Sequence, residues 1–155
     1  MHEIDLADKS EGSEFVTFLI GEQEYCIDIM SLREIRGWTP ATAIPDSPNY
    51  VRGVINLRGS VLPIVDLAKK LELEANEPSE RSVVMITQIG SQVVGLLADA
   101  VSDILTINRN TIQAPPDLNR DPTQSFVTGL VALEDRMISI INLDSILSTI
   151  QSEAA

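Results

Sequence analysis

Histidine is all but missing from this chain: among 155 residues there is one, His2. That residue lies in an acidic opening segment, MHEIDLADKSEGSE, so a Ser-His-Asp or Cys-His catalytic arrangement has no base to draw on. Cysteine is as scarce. A lone Cys26 excludes an intramolecular disulfide and fits a reducing compartment, and no Cys/His spacing supports zinc. Set among apolar neighbours, Cys26 is expected to be a small buried residue, not a nucleophile. Aromatic residues make up 4%, too few for a base-stacking platform. Eleven basic residues face 23 acidic ones, and a net charge of −12 repels phosphate backbones, so nucleic acid is excluded as a partner. No apolar run approaches the roughly 20 residues that span a bilayer. The acidic start is unlike a signal peptide, so the protein is expected to be cytoplasmic, with no direct membrane insertion. P-loop, G-x-G-x-x-G and calcium-loop motifs are absent too. The expectation is therefore no catalytic residue, no metal and no cofactor. Asp99 and Asp103, with Asp28 and Glu34, are the one carboxylate grouping an enzyme could use, and in so acidic a chain their spacing carries little weight.

What the chain has is repetition. Val51–Leu67 reads VRGVINLRGSVLPIVDL; 76 residues on, 127–143 reads VTGLVALEDRMISIINL, with Val51/Val127, Gly53/Gly129, Leu57/Leu133, Ile64/Ile140 and Leu67/Leu143 identical. At an offset of 69, Ile20/Ile89, Gly21/Gly90, Gln23/Gln92 and Ile35/Ile104 also coincide, and Glu34 stands opposite Asp103. A hydrophobic content of 44% is ample for a globular interior. The repeat predicts two lobes, 15–71 and 83–149, inside one domain of 15–150. Before it comes a flexible acidic N-terminus (1–14), and after it a short tail (151–155). Phe15–Ile20 and Tyr25–Ile29 read as a hairpin around Gly21, and Val83–Ile89 and Val93–Leu97 as another around Gly90. Turns are expected at Leu57-Arg58-Gly59-Ser60 and Glu134-Asp135-Arg136. Pro63 argues for an edge or a bulge. Asp66 and Asn142 are expected to cap two short helices, Leu67–Leu71 and Leu143–Ile150. Glu72–Arg81 reads as the connection between lobes, and Pro115–Ser125 as a surface loop. Short strands with little helix indicate an all-β fold of small barrels.

Four segments, YCIDIMSLREIRG (25–37), PNYVRGVINLRGSVLPIVDL (48–67), VVGLLADAVSDIL (93–105) and VTGLVALEDRMISIINL (127–143), together resemble the CheW-like family of chemotaxis coupling proteins. The resemblance covers about residues 14–150, and the N-L-R-G-x-x-[VL]-P-I-[VI]-D-L string is its most specific part. It implies two SH3-like five-stranded β-barrels with a groove between them and a short C-terminal helix. Whether each barrel is one continuous half or terminal strands cross over stays open. It also implies a non-enzymatic cytoplasmic adaptor joining the helical tip of a methyl-accepting chemoreceptor to the regulatory domain of the histidine kinase CheA. Such an adaptor is monomeric when free and forms rings with the kinase in membrane-associated arrays. Carried over by position, receptor binding falls on Leu32, Glu34, Gly53, Arg58, Val101 and Ile104, and kinase binding on Ile44 and Arg52. Each has a plainer role open to it. Glu34 and Arg58 could pair with each other, Gly53 could serve backbone geometry, and Leu32, Val101 and Ile104 could be core. Trp38 is expected to cover a barrel end. Other readings are an adaptor of another pathway, such as twitching motility, and a carrier of an apolar ligand between the lobes. A relative fused to a phosphorylatable receiver is a further form, for which no sequence of receiver length follows residue 150.

Overall fold

The computed structural model describes residues 12–75, 77–115 and 126–147. Within them run β1 (Gly12–Ile20), β2 (Gln23–Asp28), β3 (Leu32–Gly37), β4 (Val51–Leu57), β5 (Ser60–Asp66), β6 (Val83–Ile89), β7 (Gln92–Ala98), β8 (Ala100–Asn108), β9 (Val127–Leu133) and β10 (Arg136–Ile141). The chain is mainly β, in two five-stranded sheets ordered β8-β1-β2-β10-β9 and β3-β6-β7-β5-β4. Neighbours are antiparallel except β10 with β2 and β5 with β7.

The sheets do not follow the two halves of the sequence. Each repeat unit is five strands long, and each contributes its first hairpin to the other unit's sheet: β1–β2 joins β8–β10, while β6–β7 joins β3–β5. Between 15–71 and 83–149, strands therefore cross over, the alternative the sequence left open. Both hairpins present similar apolar faces, so local sequence does not choose between the two sheets. The chain passes between sheets at the 3₁₀ turn Ile29–Ser31 and at Asp99, the single residue between β7 and β8. The backbone N–H of Asp99 donates to the Leu19 carbonyl (2.9 Å), and its carboxylate accepts from Gly21 N–H (2.6 Å). Segment 72–81 joins β5 and its helix to β6 of the same sheet, so it is not the connection between lobes. Strand β1 begins at Gly12, pairing with Asn108, so residues 12–14 belong to the sheet and not to a flexible leader. Pro63 lies in an interior strand. It precedes the stretch Ile64–Asp66 that pairs with β7, so the parallel ladder needs no N–H from it.

Alternation along the strands divides the core into three. Phe15, Cys26, Ile107, Val131, Ile138 and Ile140 fill the interior of the first sheet. Leu62, Ile64, Val84, Ile86 and Leu97 fill the second, with Trp38 half-buried against them. The opposite faces, among them Val16, Phe18, Met85, Val94 and Leu96, meet in a shared core with Leu67, Leu71, Ile146 and Leu147. Each fully buried aliphatic side chain contributes about 1.5–3 kcal/mol. Where both faces are covered, as in β6 and β7, the sequence reads as apolar runs with little polar alternation. Asp66 caps the helix Leu67–Lys70 by accepting from the N–H groups of Ala68 and Lys69, and Asn142 accepts from Ser145 N–H (3.2 Å) at the helical stretch 143–147. Residues 148–150 of the expected C-terminal helix, and 116–125 of the expected loop, lie outside the described residues.

Candidate partner-binding site

Strands β3 and β8 are edges of different sheets, and both are bulged at the same place. Leu32 pairs with Thr87 but Glu34 with Ile86; Val101 pairs with Phe18 while Ile104 already faces Val16. A bulge puts two residues opposite one and resets which face the following side chains take. Without it Leu32 and Glu34 would share a face. With it, Leu32 and Val101 both pack on the shared core between the sheets, while Glu34 turns toward the β4–β5 hairpin and Ile104 is 57% exposed.

That hairpin is a two-residue turn with positive φ at both central residues, Arg58 (51°) and Gly59 (88°), the geometry that matches the twist of paired strands. Asn56 braces it by accepting from Gly59 N–H at 2.9 Å. The turn holds Arg58 out: its side chain is 70% exposed and donates to the Glu34 carboxylate, which also accepts from Arg36 at 3.2 Å. β3 and the β4–β5 hairpin stand at opposite edges of their sheet, so this pair helps to close the sheet on itself. Arg58 first, then Arg36, holds the Glu34 carboxyl below its ordinary range. Around the pair is an open depression of about 510 Å³, lined by Arg33, Ser91, Leu57, Leu62 and the exposed Val61. It offers charge beside aliphatic surface and no reacting group.

The other candidate residues lie elsewhere. Gly53 is buried. A Cβ there would stand 2.3 Å from the Thr42 carbonyl oxygen, where Thr42 and Val54 exchange two 2.9 Å backbone hydrogen bonds. Its close approach is to its own chain, which is the backbone role the sequence also left open for it. Gly129 does the same for Ile112 and Gln113, so the repeat uses glycine to let a passing segment cover each outer strand, β4 and β9. Arg52 donates to buried Asp66 (Nε–Oδ2 3.1 Å), so its guanidinium is engaged inside the fold. Ile44 is exposed on the segment leading to β4. Cys26 is fully buried, and burial, then the Glu24 charge, pushes its thiol up to about 12.

The strongest exposed apolar residues were not all singled out from sequence. Ile35, Val61 and Met137 stand in the open beside the edge strands, and Met30 is 87% exposed on the crossing between sheets, beside a depression of about 470 Å³ that also touches Ile29, Thr106 and Arg109. Ile35 could have been found, since it is the repeat partner of Ile104. Among the described residues no group of His, Cys, Asp and Glu is arranged to hold a metal, and no helix is long and apolar enough to cross a membrane.

A family model described as CheW-like domain matches residues 14–151. A chemotaxis protein CheW from Rhizobium meliloti is 53% identical over 144 residues, covering 93% of both chains. The protein of that name from Klebsiella aerogenes is 37% identical, covering 93% of this chain and 87% of its own. Protein FrzA of Myxococcus xanthus is 27% identical, covering 91% and 89%. Among crystal structures, the scaffolding protein TtCheW from Thermoanaerobacter tengcongensis superposes with a TM-score of 0.77 at 34% identity, covering 84% of this chain and 88% of that one.

Proposed function

The chain belongs to the CheW-like domain family, one of chemotaxis scaffolding adaptors and not of enzymes, and from that premise we propose that it couples chemoreceptors to the histidine kinase CheA. The receptor's helical tip lies along the seam between the sheets, and β3 and β8 are its two walls. The observation that carries this is the repeated bulged edge: two strands in different sheets, each turning an aliphatic residue onto the shared core and an acidic one to an arginine. A helix laid in an apolar furrow gains area from Leu32, Val101 and Ile104, and Arg58 fixes its register. Ile44, exposed on the segment leading to β4, belongs to the kinase face. Arg52 supports that face through Asp66. The adaptor works in the cytoplasm and reaches membrane arrays through its partners.

Reconstitution of receptor, kinase and this chain from purified parts tests the proposal. Wild type is expected to raise kinase activity and to co-sediment with receptor. Absence of both, with the protein folded, would remove the proposal. A second reading, service to a different chemosensory pathway, is favoured by the similarity to FrzA, and a paired assay with receptors of both pathways separates the two. The apolar-carrier reading has little to draw on, because Phe18, Met85, Leu96 and Ile146 fill the space between the sheets.

A further inference from the structure

Asp103 holds in β8 the place that Glu34 holds in β3, yet the two are secured differently. Thr17, fully buried in β1 opposite the bulge, donates its hydroxyl to the Asp103 carboxylate and accepts the Asp103 N–H at 3.0 Å. Arg136, the first residue of β10, donates through Nε to one oxygen of Glu24 on β2 (3.1 Å) and through its terminal nitrogen to the other. The same terminal nitrogen reaches Asp103 Oδ1 at 3.3 Å. Strands β2 and β8 thus meet β10 at a single guanidinium, and β1 joins them through the Thr17 bonds to Asp103. Ile104 and Met137, next in the chain to Asp103 and Arg136, stand exposed.

We propose that Arg136 is a positioning residue. It fixes the bulge of β8 so that Val101 stays on the shared core and Ile104 stays presented at the seam. The inference rests on the reading of β8 as a wall of the partner site. A bulge leaves a residue unpaired and weakens the ladder locally, so its geometry must be held by something other than backbone bonds. A planar fork anchored on both oxygens of Glu24, and reaching Asp103 from there, adds that hold to the bonds from Thr17, with direction as well as attraction. The contrast with the other edge is what gives the two arginines different tasks. Arg58 sits on a turn tip, mostly exposed, with one carboxylate partner, and is free to reach outward. Arg136 is 35% exposed with two carboxylate partners, and its reach is inward. Lysine could match its charge but not its fork.

The test pairs amide hydrogen exchange of the free protein with affinity for a purified receptor helical hairpin, using Arg136→Gln and Arg136→Lys. Arg136→Gln is expected to speed exchange at residues 101–104 while leaving β3 and the shared core protected. It is expected to weaken hairpin binding about three- to thirtyfold, and Arg136→Lys to recover part of both. Unchanged exchange at 101–104 in a folded Arg136→Gln protein would overturn the inference, whatever happens to binding. Weaker binding in that case would mean that Arg136 touches the partner itself. Should Arg136→Gln fail to fold, Glu24→Gln removes the two-oxygen hold and carries the same expectation. If the wild-type protein does not bind the hairpin while exchange still responds to Arg136, the partner reading fails and the hold on the bulge stands.

Discussion

Replacing Gly53 with alanine separates a glycine needed by a partner from one needed by the fold. The added methyl would sit 2.3 Å from the Thr42 carbonyl oxygen and 2.6 Å from its carbon, both backbone atoms that cannot rotate away. To relieve this, the segment at Thr42 must lift from β4, and the two hydrogen bonds between Thr42 and Val54 are lost. At roughly 0.5–1.5 kcal/mol each, they account for about 1–3 kcal/mol. The φ of 143° adds backbone strain on the order of 1–3 kcal/mol for any residue with a side chain. A less flexible unfolded chain returns about 0.4–1 kcal/mol. The net loss is about 1–6 kcal/mol, which in a chain of this length lowers Tm by roughly 2–20 °C. Thermal unfolding followed by circular dichroism reads this directly. Gly37→Ala is the control: nothing lies within 4 Å of its Cβ position, and its Tm should hold or rise slightly. A Gly53→Ala protein with wild-type Tm that had lost only partner binding would refute the reasoning.

Asp66→Ala removes a helix cap and leaves Arg52 without its partner, and is expected to cost about 2–4 kcal/mol in denaturant unfolding, with Asp66→Asn milder because the cap survives. Cys26 should resist thiol reagents at pH 8 until the protein is denatured, since burial and Glu24 keep it protonated; stoichiometric labelling of the native state would contradict that. Thr17 first, then Arg136, lowers the Asp103 carboxyl from its ordinary 3.8. A native pKa below the unfolded one adds stability above the unfolded value and loses it as acid titrates the native group. Stability should therefore fall on acidification below about pH 4, and less steeply in Asp103→Asn. Arg58→Glu should shift Tm by no more than about 2 °C, because the side chain projects from a turn, while weakening receptor binding.

The hairpins were legible in the sequence because their turns need particular residues: Gly21 and Gly90 at positive φ, and Arg58-Gly59 between two apolar runs. The caps at Asp66 and Asn142 were legible for the same local reason. Which hairpin joins which sheet was not, since β1–β2 and β6–β7 differ little on the faces they bury and the choice lies in long-range pairing. The Glu34–Arg58 pair could be anticipated from opposite charges near one hairpin. The bulges could not, because a one-residue shift is defined only against the neighbouring strand. Arg136 escaped notice because its partners, Glu24 and Asp103, come from two other strands. Gly53 was legible as a close approach, but the sequence could not say whether a partner or Thr42 did the approaching.

The most direct test of the two-walled seam is a chemical-shift titration of the labelled protein with a receptor helical hairpin. Perturbations should appear together on β3 around Leu32–Arg36, on the Arg58 turn, and on β8 from Val101 to Ile104, and Arg58→Glu should reduce them all in step. Shifts confined to one edge strand, or gathered instead around Thr42 and Gln113 on the outer strands, would contradict it.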